Sequence, residues 1–205
     1  MRVRWGLFLL LWSFGVEVLA QNKMVDSLRH WLAVHPAQDS TRVVNLHRLA
    51  YRLSEIDQTS AWRYANEANQ LAKKLNNKVN LGQSFINYAI LESLEGNYAK
   101  GQEYYLKALE LFEQTGWERG KAICLNNIAE NYKSMNQLDK SLDYTFRALA
   151  LNKTKDEKRG IAVNHEQIGE LYRQKGRYEE SLKYLQEGLI LAKQADQNYQ
   201  ILPQI

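Results

Sequence analysis

The chain has 205 residues, 24% of them charged and 45% apolar, with two prolines, one cysteine and a formal charge of +4 at pH 7. So small an excess, with neither a continuous basic stripe nor a base-reading motif, argues against nucleic-acid binding, and a lone cysteine excludes a disulfide framework. The length would hold one or two domains; the uniform repeat described below makes it one.

Residues 1–20 have the layout of a secretory signal. Arg2 and Arg4 precede an apolar stretch from Trp5 to Val16, and Val18, Leu19 and Ala20 place small residues at the cleavage-determining positions. The expectation is export to the periplasm, with a mature chain starting at Gln21. Removing Arg2, Arg4 and Glu17 with this segment leaves a charge of +3. The stretch is shorter than the roughly 20 residues that span a bilayer, so the alternative is an uncleaved anchor holding the rest outside the cytoplasm. No other stretch suggests a membrane span. A glutamine at position 21, rather than a cysteine, argues against a lipid anchor.

Residues 21–42 read as an N-terminal capping helix and linker. Val25, Leu28 and Leu32, with Trp31 beside them, form one amphipathic run that ends near Pro36, and Asp39, Ser40 and Thr41 are capping candidates for the next helix.

From there the chain repeats. Asn76, Gly116, Asp156 and Asp196 recur every forty residues, and so do Tyr64, Tyr104, Tyr144 and Tyr184. Asp57, Gly96, Asn136 and Gly176 form a second column roughly midway, all of types that tolerate the left-handed conformation at a helix C-terminus. Between the breaks apolar residues recur at three- and four-residue steps, as in Ile123, Leu125, Ile128, Ala129 and Tyr132. Each unit is therefore a pair of helices, A and B. The pairs Ala50 with Ala68, Ala89 with Ala108, Ala129 with Ala148 and Gly169 with Gly188 supply small residues where two antiparallel helices approach closely. The fold expected is all-α: a right-handed solenoid of four helix pairs, at 43–76, 77–116, 117–156 and 157–196, with 197–205 beginning a further helix. No polar capping helix is visible at that end, so the last apolar face should be covered by another chain or by a continuation of this one.

The run Ile168, Gly169, Glu170, Leu171 and Tyr172, followed by Gly176, Tyr178, Ser181 and Leu185, resembles the tetratricopeptide repeat, and Ile128, Ala129, Tyr132, Leu138, Ser141 and Ala148 repeat it one unit earlier. The resemblance covers about residues 43 to 196. It departs in length, because that family repeats at about 34 residues. Here the extra residues fall between helix B and the next helix A, so the helices should be longer and meet at turns such as Thr115-Gly116-Trp117 and Lys155-Asp156-Glu157. Glu92 stands where the family places an aromatic residue.

The resemblance implies a concave groove lined by the A helices. Carried over position by position, it selects His47, Arg48, Tyr51 and Ser54 in the first unit, and Ile86, Asn87, Ile90 and Ser93 in the second. In the third it selects Asn126, Asn127, Glu130 and Lys133, and in the fourth Glu166, Gln167, Glu170 and Arg173. Asn87, Asn127 and Gln167 share one position, and in related long-repeat members such amides hold the main chain of a peptide. Neither Asn87 nor Asn127 belongs to the small-residue column, so both are expected to be replaceable without loss of fold. The lysine-and-asparagine grip on a terminal carboxylate is missing, since His47 and Tyr51 hold its places, which disfavours a chaperone-tail receptor.

Catalytic signals are sparse. His30, His35, His47 and His165 show no metal-ligand spacing and are expected to be surface or half-buried polar residues. Cys124, beside Leu125, is expected to be a packed core residue. Glu166 with Glu170, and Glu130 with Ser134, lie one helical turn apart as solvated faces do. Without a phosphate loop, a nucleophile motif or a dinucleotide fingerprint, no enzyme, metal or cofactor is expected. The function expected is an exported module that binds a peptide or protein segment in its groove. Two alternatives stand beside it. The order of signal, cap and long repeats resembles the sensory region of bacterial signalling proteins, ahead of a membrane helix and a histidine kinase or transcription-regulating output domain, in which case the parent chain could be an enzyme. The other is a scaffold that self-associates through its uncapped C-terminal end.

Overall fold

A computed structural model of the chain describes residues 23–201, so the signal expected at 1–20 and the start at Gln21 lie outside the described residues. Helix α1 spans 23–34. It is followed by α2 (Ser40–Leu53), α3 (Gln58–Lys74), α4 (Lys78–Leu94), α5 (Tyr98–Thr115), α6 (Glu118–Ser134), α7 (Leu138–Thr154), α8 (Lys158–Gln174) and α9 (Tyr178–Ile201). Among the described residues there is no strand. α2 packs on α3, α4 on α5, α6 on α7 and α8 on α9, and each pair packs on the next, with α4 also touching α2 and α6. The result is an all-α solenoid.

The turns explain the regularity. Asn76, Asn136 and Asp156 have φ of 50°, 55° and 50°, and Gly96, Gly116 and Gly176 have φ of 83°, 67° and 72°. Each takes the left-handed step that closes a helix, and the following amide returns to a carbonyl five residues back, as Asn77 does to Ala72 (3.0 Å) and Arg177 to Tyr172 (2.9 Å). The extra length lies where the sequence placed it. α7 and α8 are each 17 residues long and meet across a turn at 155–157.

Two members of the turn columns behave otherwise. Asp57 is not a left-handed stop: its φ is −147°, and its side chain caps α3 by accepting the Ser60 amide at 3.0 Å. α2 is shorter, 14 residues, and ends through bonds from Ser54 to Tyr51 and from Ile56 to Leu53. Asp196 breaks nothing either. α9 runs through it to Ile201, so 197–201 continue α9 rather than begin another helix. An aspartate mid-helix costs only a fraction of a kcal/mol, and unlike Gly116 or Gly176 it does not itself favour φ > 0 strongly enough to end a helix.

The small-residue columns pack as their spacing requires. Ala50, Ala68, Ala89, Ala108, Ala129 and Ala148 are buried. A Cβ on Gly169 would lie 2.7 Å from Leu185 Cγ, so the backbones of α8 and α9 approach more closely there than a side chain allows. At the N-terminal end α1 lays Val25 and Leu32 on the first core cluster, with Leu28 and Trp31 alongside. Arg42 fastens it, donating to the carbonyls of Leu32 (2.9 Å) and His35 (3.1 Å) and pairing with Glu67 of α3 (2.9 Å). Glu92, at the position of the missing aromatic, is buried, accepts from Asn97 Nδ2 and pairs with Lys100 at 2.6 Å. An ion pair there fills the space of a ring.

Candidate peptide-binding groove

Successive A helices leave a cavity of about 610 Å³ between α2, α4 and α6. Of the residues selected from the sequence, His47, Arg48 and Tyr51 line it from α2, Ile86, Asn87 and Ile90 from α4, and Asn127 from α6. Val44, Val79, Gln83, Ile123 and Trp117 also line it and were not selected. Their signal was present in the spacing. Val79 and Gln83 extend the stripe of Ile86 and Ile90 backward by helical steps, and Val44 precedes His47 by three residues. Trp117 sits in the turn before α6, edge-on to Phe112 with ring centroids 4.7 Å apart, over Gly120, where a Cβ would strike its ring.

The remaining selected residues are placed elsewhere. Asn126 accepts from Asn164 Nδ2 at 2.6 Å, and Asn164 Oδ1 accepts from Asn152 at 2.7 Å, so this amide chain ties α6, α8 and α7 together. Glu130 and Lys133 pair with each other at 2.7 Å and, with Gln167, border a small hollow of about 10 Å³. Glu166 faces a different hollow, between α8 and α9. Glu170 and Arg173 form a two-pronged pair, both contacts at 2.7 Å, and Gln174 adds a bond at 2.9 Å. The Arg173 guanidinium, then Gln174, hold the Glu170 carboxyl down at about 2. Ser54 and Ser93 turn their hydroxyls to the Tyr51 and Ala89 carbonyls, both at 2.8 Å.

Within the cavity lining, His47 and Asn87 form one unit. His47 Nε2 donates to the Asn80 carbonyl at 3.0 Å, which leaves Nδ1 to accept from Asn87 Nδ2 at 3.2 Å, and the same amide nitrogen donates to the His47 carbonyl at 3.2 Å. This pattern fixes a neutral ring. Burial lowers the His47 pKa to about 4, only partly opposed by the bond to Asn80. Asn87 is 2% exposed and its Oδ1 has no hydrogen-bond partner among the described residues. The side chain of Asn127, half-buried in the same lining, has no hydrogen-bond partner among them either.

Other expectations about polar residues need correcting. His47 and His165 are 4% and 5% exposed, not surface residues, because His47 is covered by α4 of the next repeat and His165 by Tyr184 and Glu187 of α9 in its own pair. His165 Nδ1 lies 3.2 Å from Glu187 but out of hydrogen-bond direction, its ring packs on Tyr184, and burial lowers its pKa. Cys124 is fully buried, and burial pushes its thiol up to about 12, which makes it a core residue. The tyrosine column is structural: Tyr104 stacks on Phe85, and Tyr144 and Tyr184 lie against Tyr132 and Tyr172. Among the described residues no group of three or more His, Cys, Asp or Glu could hold a metal ion, and no helix is long and apolar enough to cross a membrane.

Residues 80–154 and 164–194, together just over half of the chain, match family profiles described as tetratricopeptide repeat. Among solved structures, aspartyl phosphate phosphatase F from Bacillus subtilis superposes with a TM-score of 0.70 at 17% identity, over 76% of this chain and 41% of that one. The apo form of RapI gives 0.66 at 19% identity, over 78% and 59%. A signal transduction ATPase with numerous domains and a tetratricopeptide repeat sensor, from Pyrococcus horikoshii, gives 0.65 at 19%, over 78% and 25%. This chain thus spans less than two thirds of each of the three, and likeness at these identities concerns the fold alone. A comparison with curated proteins finds no match. With its helix pairs, turn register and small-residue columns, and with two segments that match the family, the chain belongs to the tetratricopeptide repeat proteins.

Proposed function

We propose that this protein-interaction module is exported and binds an extended peptide or protein segment in the groove formed by α2, α4 and α6. One observation carries the reading: three successive A helices share a largely apolar cavity of about 610 Å³ whose polar lining includes an unpartnered amide, Asn127. Apolar walls with a few convergent polar groups are what a binding pocket requires, and an amide can both donate to and accept from a peptide main chain. The groove needs no catalytic group, and the role is non-enzymatic. The test is capture of partners from the exported compartment, followed by titration of a captured segment against Asn127→Ala. Loss of one net hydrogen bond, roughly 0.5 to 1.5 kcal/mol, weakens binding about two- to tenfold. Unchanged affinity would remove Asn127 from the groove, and N-terminal sequencing that finds an intact Met1 on soluble cytosolic protein from a secreting host would remove the export step.

Two further readings each have an observation in their favour. A sensory role draws on the likeness to the Pyrococcus horikoshii protein, whose tetratricopeptide repeats are a sensor; a parent sequence with an apolar run of about 20 residues beyond these repeats would favour it. Self-association draws on α9. Leu142 and Leu149 of α7 are 8% and 5% exposed beneath α8, whereas Leu182 and Leu189, forty positions later, are 58% and 57% exposed. Mass measured against concentration decides this: a mass unchanged up to high concentration, or association unaffected by Leu182→Lys with Leu189→Glu, would reject it.

A further inference from the structure

The cavity between α2, α4 and α6 combines apolar walls with a buried, unfilled acceptor on Asn87. Val44, Val79, Ile86, Ile90, Ile123 and Trp117 supply the walls. The donors of the His47–Asn87 pair are directed within the protein. Asn87 Nδ2 bonds to the His47 ring and carbonyl, and the His47 ring N–H bonds to the Asn80 carbonyl, which also accepts the Ser84 hydroxyl at 3.1 Å. What this pair has left is an acceptor, Asn87 Oδ1, buried and without a partner. A buried carbonyl oxygen that has lost water and gained no donor is destabilised, and any group that brings a donor to it recovers that loss. A plain alkyl or phenyl group would fill space and leave the oxygen as it was.

Resting on the groove assignment, we infer that this cavity selects from the bound segment an aromatic side chain carrying a ring N–H or a hydroxyl, which it donates to Asn87 Oδ1 as the cavity opens around the ring. Aromatic groups with a polar edge suit such a site because most of their surface is apolar while one atom donates. The cavity volume, about 610 Å³, is ample for an indole. Asn87 here differs from an amide that holds a peptide main chain by donating and accepting together, because both of its donors are engaged by His47.

Two isomers of equal size test this: 3-methylindole, which keeps the ring N–H, and 1-methylindole, which lacks it. Titrated into the full isotope-labelled chain and followed by NMR, 3-methylindole should bind saturably and at least threefold more tightly than 1-methylindole. Val44→Trp fills the cavity from a position 38% exposed, where the fold tolerates it, and should abolish binding of both isomers. Asn87→Leu, if folded, should remove the preference while keeping apolar binding. Equal affinities for the two isomers in the unsubstituted chain would overturn the donor assignment. Absence of saturable binding, or binding undiminished in Val44→Trp, would overturn the pocket itself. Neither result touches the groove reading, which stands or falls on Asn127→Ala against a captured segment.

Discussion

His47 is neutral in the folded chain because its ring is buried, and its pKa is lowered from 6.5 to about 4, with the bond to the Asn80 carbonyl only partly opposing the shift. The unfolded ring titrates at its ordinary value, so between these two limits unfolding takes up a proton and stability falls as the pH falls; above pH 6.5 the contribution is complete. At about 1.4 kcal/mol per pKa unit, the loss between pH 7 and pH 4.5 comes to roughly 2 to 3 kcal/mol. In His47→Gln, whose amide can still donate to Asn80, that part of the acid sensitivity should vanish, and urea melts at the two pH values measure it. Equal losses in both proteins would mean that the ring is not held neutral. The two asparagines separate in the same way. Asn87→Ala strips the donor from a buried carbonyl and ring nitrogen and should cost about 1 to 3 kcal/mol, whereas Asn127→Ala, which breaks no bond among the described residues, should leave the melting temperature nearly unchanged. The expectation that both can be replaced without loss of fold is therefore kept as a prediction for Asn127 and revised for Asn87, whose amide is bonded inside the fold. His47 and Asn87 are forty residues apart, each ordinary as a surface residue on its own helix; only the stacking of α4 on α2 buries them together, and no spacing along the chain announces that.

Among the elements, turns were more legible than ends. Gly96, Asn136 and Gly176 declare a left-handed step in their residue type, and nothing in the tertiary structure overrides it. Asp57 and Asp196 share the residue type, yet one became a cap and the other a mid-helix residue, because aspartate suits all three settings. At Gly176 a Cβ would meet nothing within 4 Å, so Gly176→Ala isolates the backbone cost. It should destabilise by about 1 to 2 kcal/mol, the penalty of a left-handed L-residue, and a thermal melt that does not shift would mean the turn relaxes to another conformation. Helix approach is tested at Ala129, 2% exposed, whose carbonyl accepts the Ser141 hydroxyl of α7 at 2.8 Å. Ala129→Leu must force α6 and α7 apart and should cost roughly 1 to 3 kcal/mol. The small-residue columns were readable because close packing of two helices admits few residue types. Of the cavity's apolar walls, Val79 follows the helical spacing of Ile86, whereas Ile123 looks like a core position until the packing leaves it facing a gap.

In the whole molecule each repeat is stabilised by its neighbours, so the ends should open before the middle. The cores are unequal: the third cluster contains Leu142, Leu149, Ile161, Ile168 and Leu171, while the two nearer the N-terminus hold more than twice as many buried apolar residues between them. At the C-terminal end Leu182 and Leu189 remain exposed, whereas at the N-terminal end α1 and Arg42 close the first pair. Unfolding should therefore begin at α8 and α9 and spread toward α2. The distribution of tryptophan makes this measurable, because among the described residues Trp31, Trp62 and Trp117 all belong to the first two clusters or pack against them, and the third has only tyrosines. Circular dichroism reports every helix, whereas tryptophan fluorescence reports the N-terminal and central part. In urea the helical signal should start to fall at a lower concentration than the fluorescence changes, and hydrogen exchange should be fastest in α9 and slowest in α4 to α6. Leu182→Glu with Leu189→Lys, which solvates the open face without touching the buried interface, should leave the fluorescence transition where it is. Coincident transitions by both probes would show that the four pairs unfold as one cooperative unit, and that the apparent weakness of the C-terminal pair is offset by its packing through Gly169 and Gly188.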